Sequence, residues 1–213
     1  MAGPGAYVRA GHPASDSKAS AAIGAAGKGV TMSGEKTSGL APRDMTRAAA
    51  AVALLAVSAW VTVPLGPVPF TLQTMALTFV LVALPGREAV LAVAVYVLLG
   101  AIGAPVFSGM RGGVGVLFGP TGGFILGFVL AALAAAAVRR AMPASPVRDV
   151  LVAALAIACS HGVGVAWLAT VGSLGLVPAF LAGSAPFLLL DAIKGAAGIV
   201  LARGVRHAVP GLA

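Results

Sequence analysis

Charge is scarce in this chain. Only 9% of its 213 residues are Asp, Glu, Lys or Arg, while 59% are hydrophobic. A soluble domain carries about a quarter charged residues, so an ordinary soluble globular protein is not expected. Cysteine occurs once, as Cys159. No intrachain disulfide can form, and with no CxxC or paired His nearby Cys159 reads as a small buried hydrophobe. Aromatics are only 6%. The balance is nevertheless basic, with 14 Lys and Arg against 6 Asp and Glu, a formal charge of +8 and a sequence pI near 10.9. Without a clustered basic face or an aromatic stacking platform, that charge does not indicate nucleic acid. The 29 Gly and 14 Pro follow no triplet period, which removes a collagen-like chain. There is no HExxH, no GxSxG, and no lysine in the Gly-rich stretch 112–123 to complete a P-loop. Gly113-Val114-Gly115-Val116-Leu117-Phe118 ends in Phe and is no dinucleotide fingerprint either. No metal and no cofactor are expected, and the chain is not expected to be an enzyme.

What the chain does have is long uncharged runs, and its mean hydropathy is +1.01. Residues 48–86 (39 residues), 89–110 (22) and 112–138 (27) contain no charge, and 150–190 (41) contains only His161 as a titratable group. A spanning helix needs roughly 17–25 apolar residues. The two longest runs therefore hold two spans each, divided by Pro64-Leu65-Gly66-Pro67-Val68-Pro69 and by Gly172-Ser173-Leu174-Gly175-Leu176-Val177-Pro178. The expected architecture is an all-α membrane protein of six transmembrane helices, near 45–63, 70–85, 88–104, 120–139, 149–171 and 181–203. Placing both termini in the cytoplasm puts Arg43, Arg47, Arg87, Arg139, Arg140, Arg148, Arg203 and Arg206 on that side and leaves only Arg111 outside, as the positive-inside rule requires. Residues 1–43, rich in Gly, Ala and Ser, read as a disordered tail without the apolar core of a signal peptide, and 44–213 as the membrane domain. Met32 is a candidate native start.

Against this background every intramembrane polar group calls for a reason. Asp191 and Lys194 lie i, i+3 on one face of the last span. A charge at membrane depth costs several kcal/mol, so such groups face a protein interior or polar cavity. They form either a ligand site or a structural pair. Thr71 and Gln73 stand at the entry of the second span, where Gln73 is both donor and acceptor. Phe107, Phe118 and Phe124 are candidate walls of an apolar pocket. Tyr96 needs a partner for its hydroxyl or a place at a polar cavity. His161 reads as a satisfied buried histidine more readily than as a proton relay. Gly119, Gly123 and Gly127, spaced by four, form a close-approach face for another helix, and Ala49 and Ala53 repeat that pattern on the first span.

Pro69-Phe70-Thr71-Leu72-Gln73-Thr74, the stretch from Tyr96-Val97-Leu98-Leu99-Gly100 to Ala104-Pro105-Val106-Phe107, Gly119-Pro120-Thr121-Gly122-Gly123-Phe124, and Asp191-Ala192-Ile193-Lys194 occur in an order and spacing that resemble the BioY family. These are the biotin-specific substrate-binding (S) components of energy-coupling-factor (ECF) importers, and the resemblance covers about residues 45–205. It implies a six-helix protein of the cytoplasmic membrane that binds biotin from outside with high affinity. It also implies docking to a transmembrane coupling subunit and two cytoplasmic ATPases, with Ala49 and Ala53 on the docking face. Asp191 and Lys194 match the family's final-helix pair that meets polar groups of biotin, and Thr71 and Gln73 match the loop that lids the site. Tyr96 and Phe107 would wall the ligand, and Lys194 or Arg111 would donate to it. Phe124 stands where the family often has Tyr, so one hydrogen bond would be missing. An S component for another vitamin, a solitary biotin facilitator, and an intramembrane enzyme centred on His161 and Asp191 are the alternatives.

Overall fold

A computed structural model describes residues 1–3, 5 and 41–209. The expected tail and the candidate start at Met32 lie almost wholly outside the described residues. Eight α-helices occur among the described residues: α1 (Pro42–Trp60), α2 (Gln73–Ala83), α3 (Gly86–Ala101), α4 (Val114–Phe118), α5 (Gly122–Ala141), α6 (Pro146–Val171), α7 (Leu176–Gly183) and α8 (Leu188–Ala208). Two short strands, β1 (Thr62–Val63) and β2 (Phe70–Thr71), form an antiparallel hairpin pairing Thr62 with Thr71 and Val63 with Phe70.

Local sequence explains where the helices start and stop. Pro42 and Pro146 occupy first-turn positions, where the missing N–H removes nothing. The Ser145 hydroxyl accepts from the Arg148 amide at 3.1 Å and caps α6. The prolines at 64, 67 and 69 stop α1 from continuing, but the chain between α1 and α2 is not a plain loop, because residues 62–63 and 70–71 pair across it. Gly123 and Gly127 let α5 and α6 touch backbone to backbone. A methyl on Gly127 would sit 2.7 Å from the Cα of Ser160, and one on Gly123 would sit 2.2 Å from the Cβ of Trp167. Gly119 does not join that face; it caps α4 instead.

The last expected span, 181–203, is not continuous. α7 and α8 are separate helices bent by 53° across residues 184–187. Pro186 is the physical reason, since it lacks a donor and turns the preceding residue away from helix. Pro178, expected in a connecting loop, instead falls in the first turn of α7.

The outer surface is apolar. Leu126, Leu130 and Leu133 form an exposed stripe on α5, as do Leu189, Ile193, Val200 and Leu201 on α8. A water-soluble monomer does not expose contiguous apolar area of this kind. Two helices, α5 and α6, are long and apolar enough to cross a bilayer, or three if the bent α7–α8 pair counts as one span.

The two ends of the bundle differ chemically. At one end Arg47 pairs with buried Glu88 at 3.7 Å, and Arg139 donates to the carbonyls of Leu81 and Val82 at the end of α2. At the same end Arg203 and Arg206 reach Asp149 Oδ2 at 3.0 and 2.7 Å. The opposite end carries the hairpin, α4 and the start of α8.

Candidate functional site

α8 begins immediately after the break, and its first turns carry Asp191 and Lys194 into the protein. Both are buried. Lys194 Nζ lies 2.5 Å from Asp191 Oδ1. It also donates to the carbonyl of Thr71 at 2.7 Å and sits 4.0 Å from the ring centroid of Phe70. The other carboxylate oxygen, Oδ2, lies 2.8 Å from His161 Nε2. A carboxylate only accepts, so Nε2 carries the proton. On the other side of the ring, Nδ1 lies within hydrogen-bond reach of the Ser184 hydroxyl at 2.7 Å. Phe124 meets the imidazole edge to face at 5.8 Å. The Asp191 carboxylate is thus met on both oxygens, by Lys194 on one and His161 on the other, which is how a buried charge is kept tolerable.

A second network braces the hairpin side. Thr71 Oγ1 donates to Gln73 Oε1 at 3.2 Å. Gln73 Nε2 donates to the Tyr96 hydroxyl at 2.7 Å, which passes its own proton to the Val106 carbonyl at 3.0 Å. Tyr96 also packs edge to face against Phe107 at 5.6 Å. The Phe107 ring lies directly over Gly100, where a methyl would fall 2.0 Å from the ring. Only glycine allows this approach.

These networks meet in one cavity. The empty space between its walls, open mouth included, is about 630 Å³. Thr71, Gln73, Phe107, Phe124, Asp191 and Lys194, all anticipated from the sequence, line it together. Tyr96 does not. It is completely buried behind Gln73 and Phe107 and holds them in place. Arg111 lies outside the cavity, in a neighbouring hollow that shares Pro69 and Ser108 with it. There its Nε donates to the Ser108 carbonyl at 3.1 Å. Phe118 is two-thirds exposed and does not line this cavity. Ala49 and Ala53 are exposed on the outer face of α1. His161 is a satisfied buried histidine and a cavity wall at once. Phe70, Phe128, Phe187 and Ser160 also line the cavity and were not foreseen. Aromatics inside apolar runs carry no periodic signal, and only the position of Phe187 directly after Pro186 hinted at its place.

Ser184, His161 and Asp191 have the composition of an acyl-transfer triad. The Ser184 side chain is fully buried and does not reach the cavity. A nucleophile must touch its substrate, so Ser184 orients the imidazole and attacks nothing. The arrangement as a whole offers a preorganised acceptor pair, a cation held beside it, and aromatic walls. This is the equipment of a binding site for a polar head on an apolar body.

An apolar-surfaced helical bundle enclosing such a site is a small-molecule-binding membrane protein. A family model described as the BioY family matches residues 31–211, starting inside the segment expected to be tail. A biotin transporter BioY from Thermotoga maritima is 50% identical over 90 residues, 42% of this chain and 53% of that protein. A probable biotin transporter BioY from Pyrococcus horikoshii is 34% identical over 160 residues, 75% of this chain and 94% of that protein. Biotin transporter BioY2 from Lactococcus lactis is 47% identical over 87 residues, 41% and 48% of the two chains. The matched stretch spans about half the length of the Thermotoga and Lactococcus relatives and nearly all of the Pyrococcus one. In structure, the bundle resembles the crystal structure of the S-component for biotin from an ECF-type ABC transporter, with a TM-score of 0.69 and 22% identity over 78% of this chain and 91% of that one. The chain belongs to the BioY family.

Proposed function

We propose that this chain binds biotin and takes it up across the cytoplasmic membrane as the substrate-binding component of an ECF importer. The observation that carries the reading is the hydrogen-bonded Asp191–His161–Lys194 cluster set into a phenylalanine-lined cavity. Biotin has a neutral ureido ring, an apolar body and a terminal carboxylate. Asp191 accepts from the ureido N–H groups, and Lys194 stands beside it to neutralise the carboxylate or meet a ligand oxygen. Phe107 and Phe124 wall the apolar body. Thr71, on the hairpin, and Gln73, at the first position of α2, line the same cavity, with Tyr96 fixing Gln73. Arg111, in the hollow next to the cavity, is a second donor for a carboxylate that extends out of it.

Six spans with both termini cytoplasmic put the cavity end outside and the arginine end inside, which supports capture from the exterior. Ala49 and Ala53, exposed and small, offer α1 as the face for a transmembrane coupling subunit. Transport needs no enzyme chemistry and no cofactor in this chain; its energy comes from the two ATPases of the complex.

The test is isothermal titration of the detergent-purified chain with biotin and with dethiobiotin. Biotin is expected to bind, and Asp191→Asn to weaken it by roughly a hundredfold, on the scale of about 2–3 kcal/mol for a hydrogen bond to a charged group. Unchanged affinity in Asp191→Asn would remove that residue from the site. Tighter binding of another vitamin would reassign the ligand.

A further inference from the structure

Residues 41–209 hold nine arginines and Lys194 but only four carboxylates, Asp44, Glu88, Asp149 and Asp191. Every carboxylate is occupied. Arg43 lies 3.5 Å from Asp44 and Arg47 3.7 Å from Glu88. Arg148, Arg203 and Arg206 surround Asp149, and Lys194 and His161 hold Asp191. Arg139 is spent on two carbonyls and Arg111 on one. Arg87 and Arg140 remain. Both are exposed, and neither has an ion pair or hydrogen bond among the described residues.

The two unpaired guanidiniums flank one groove. Arg87 stands at the start of α3 and Arg140 at the end of α5, and the groove between them is floored by Val90, Leu91 and Ala94 on α3 and by Leu133 and Ala137 on α5. The spacing Arg87, Val90, Leu91, Ala94 is one helix face, as is Leu133, Ala137, Arg140. The floor runs into the exposed leucine stripe of α5, the surface that faces lipid. The groove is therefore cationic at its rim, where the other arginines of this end lie, and apolar below it.

We propose that this groove is a binding site for an anionic phospholipid, with the headgroup phosphate held by Arg87 and Arg140 and an acyl chain lying along the α3–α5 floor. Arginine suits the task, because its planar fork matches phosphate oxygens in pairs. A free phosphate has no use for the apolar floor. A soluble acidic partner has no access to a surface continuous with the lipid-facing stripe. The proposal rests on the membrane reading of the chain and not on biotin being its ligand.

The test is lipid titration of the delipidated full chain in detergent, followed by native mass spectrometry. Phosphatidylglycerol and phosphatidylcholine with the same acyl chains are compared, and biotin binding is measured on every sample. Phosphatidylglycerol is expected to bind roughly tenfold tighter than phosphatidylcholine. Arg87→Ala with Arg140→Ala abolishes that preference, and Arg43→Ala, at the same end, retains it. Ala137→Phe keeps both charges, fills the floor and also weakens phosphatidylglycerol. The proposal is overturned if the double variant keeps the preference, if phosphatidylcholine binds equally well, or if glycerol phosphate competes as effectively as the whole lipid. A change of oligomeric state in the double variant, with wild type itself showing no lipid preference, assigns the groove to a protein partner and also overturns it. If wild type fails to bind biotin yet shows the lipid preference, the transport reading falls and the lipid site stands.

Discussion

The side chains around Asp191 divide into those that face the cavity and those that hold others in place, and substitutions separate the two kinds. Tyr96 is of the second kind. Its hydroxyl is the acceptor for Gln73 Nε2, so Tyr96→Phe leaves a buried amide donor without a partner. Biotin affinity is expected to fall about two- to tenfold on titration calorimetry, following a loss of about 0.5–1.5 kcal/mol for one hydrogen bond. Ser184 is of the same kind. Ser184→Ala is expected to lower the thermal midpoint in detergent and weaken biotin binding by a similar factor, because the imidazole loses the partner of its Nδ1. An unchanged thermal midpoint together with unchanged biotin affinity in Ser184→Ala would remove this positioning role. Asp191 and Lys194 were legible in the sequence because isolated charges in an apolar run have few places to go. The role of Tyr96 was not, since it depends on Gln73 and Val106, which the fold alone brings to the hydroxyl. Arg111 stood out in the sequence by its isolation, as a ligand donor or a solvated charge, and loop geometry places it in the neighbouring hollow.

Helices and their interruptions were legible to different degrees. The uncharged runs located α1, α3, α5 and α6 to within a few residues, because hydrophobic length is a one-dimensional property. The glycine spacing anticipated the α5–α6 contact at Gly123 and Gly127, because four-residue spacing lines up small residues on one face. The break between α7 and α8 was missed. It follows from Pro186 and from Ser184 being drawn inward to His161, and the second of these is a long-range contact. The contact at Gly127 gives a direct test. Gly127→Leu is expected to force α5 and α6 apart and to lower the thermal midpoint strongly, by a cost of about 1–3 kcal/mol or more for overpacking. Gly115→Ala, where the added methyl meets nothing within 4 Å, is the control and is expected to leave stability unchanged.

The bundle formed by residues 41–209 is polarised, with a hydrogen-bonded cavity at one end and an arginine clamp at the other. The clamp centres on Asp149, almost fully buried and approached by Arg148, Arg203 and Arg206, which ties the start of α6 to the end of α8. Asp149→Asn leaves three guanidiniums crowded around a neutral amide. A loss of about 3–5 kcal/mol in stability is expected, as for breaking other buried pairs. Thermal unfolding in detergent measures it, and biotin affinity at low temperature should change little because the cavity lies at the far end. The positive-inside bias pointed to this end, since arginine count is readable from sequence, but which arginines clamp and which stay open was decided by packing. At the cavity end, the ammonium of Lys194 also moors the hairpin through the Thr71 carbonyl. Removing that ammonium, as in Lys194→Met, would therefore unfasten the strand and bare the Asp191 carboxylate in one step, so a single substitution would disturb two walls of the cavity together.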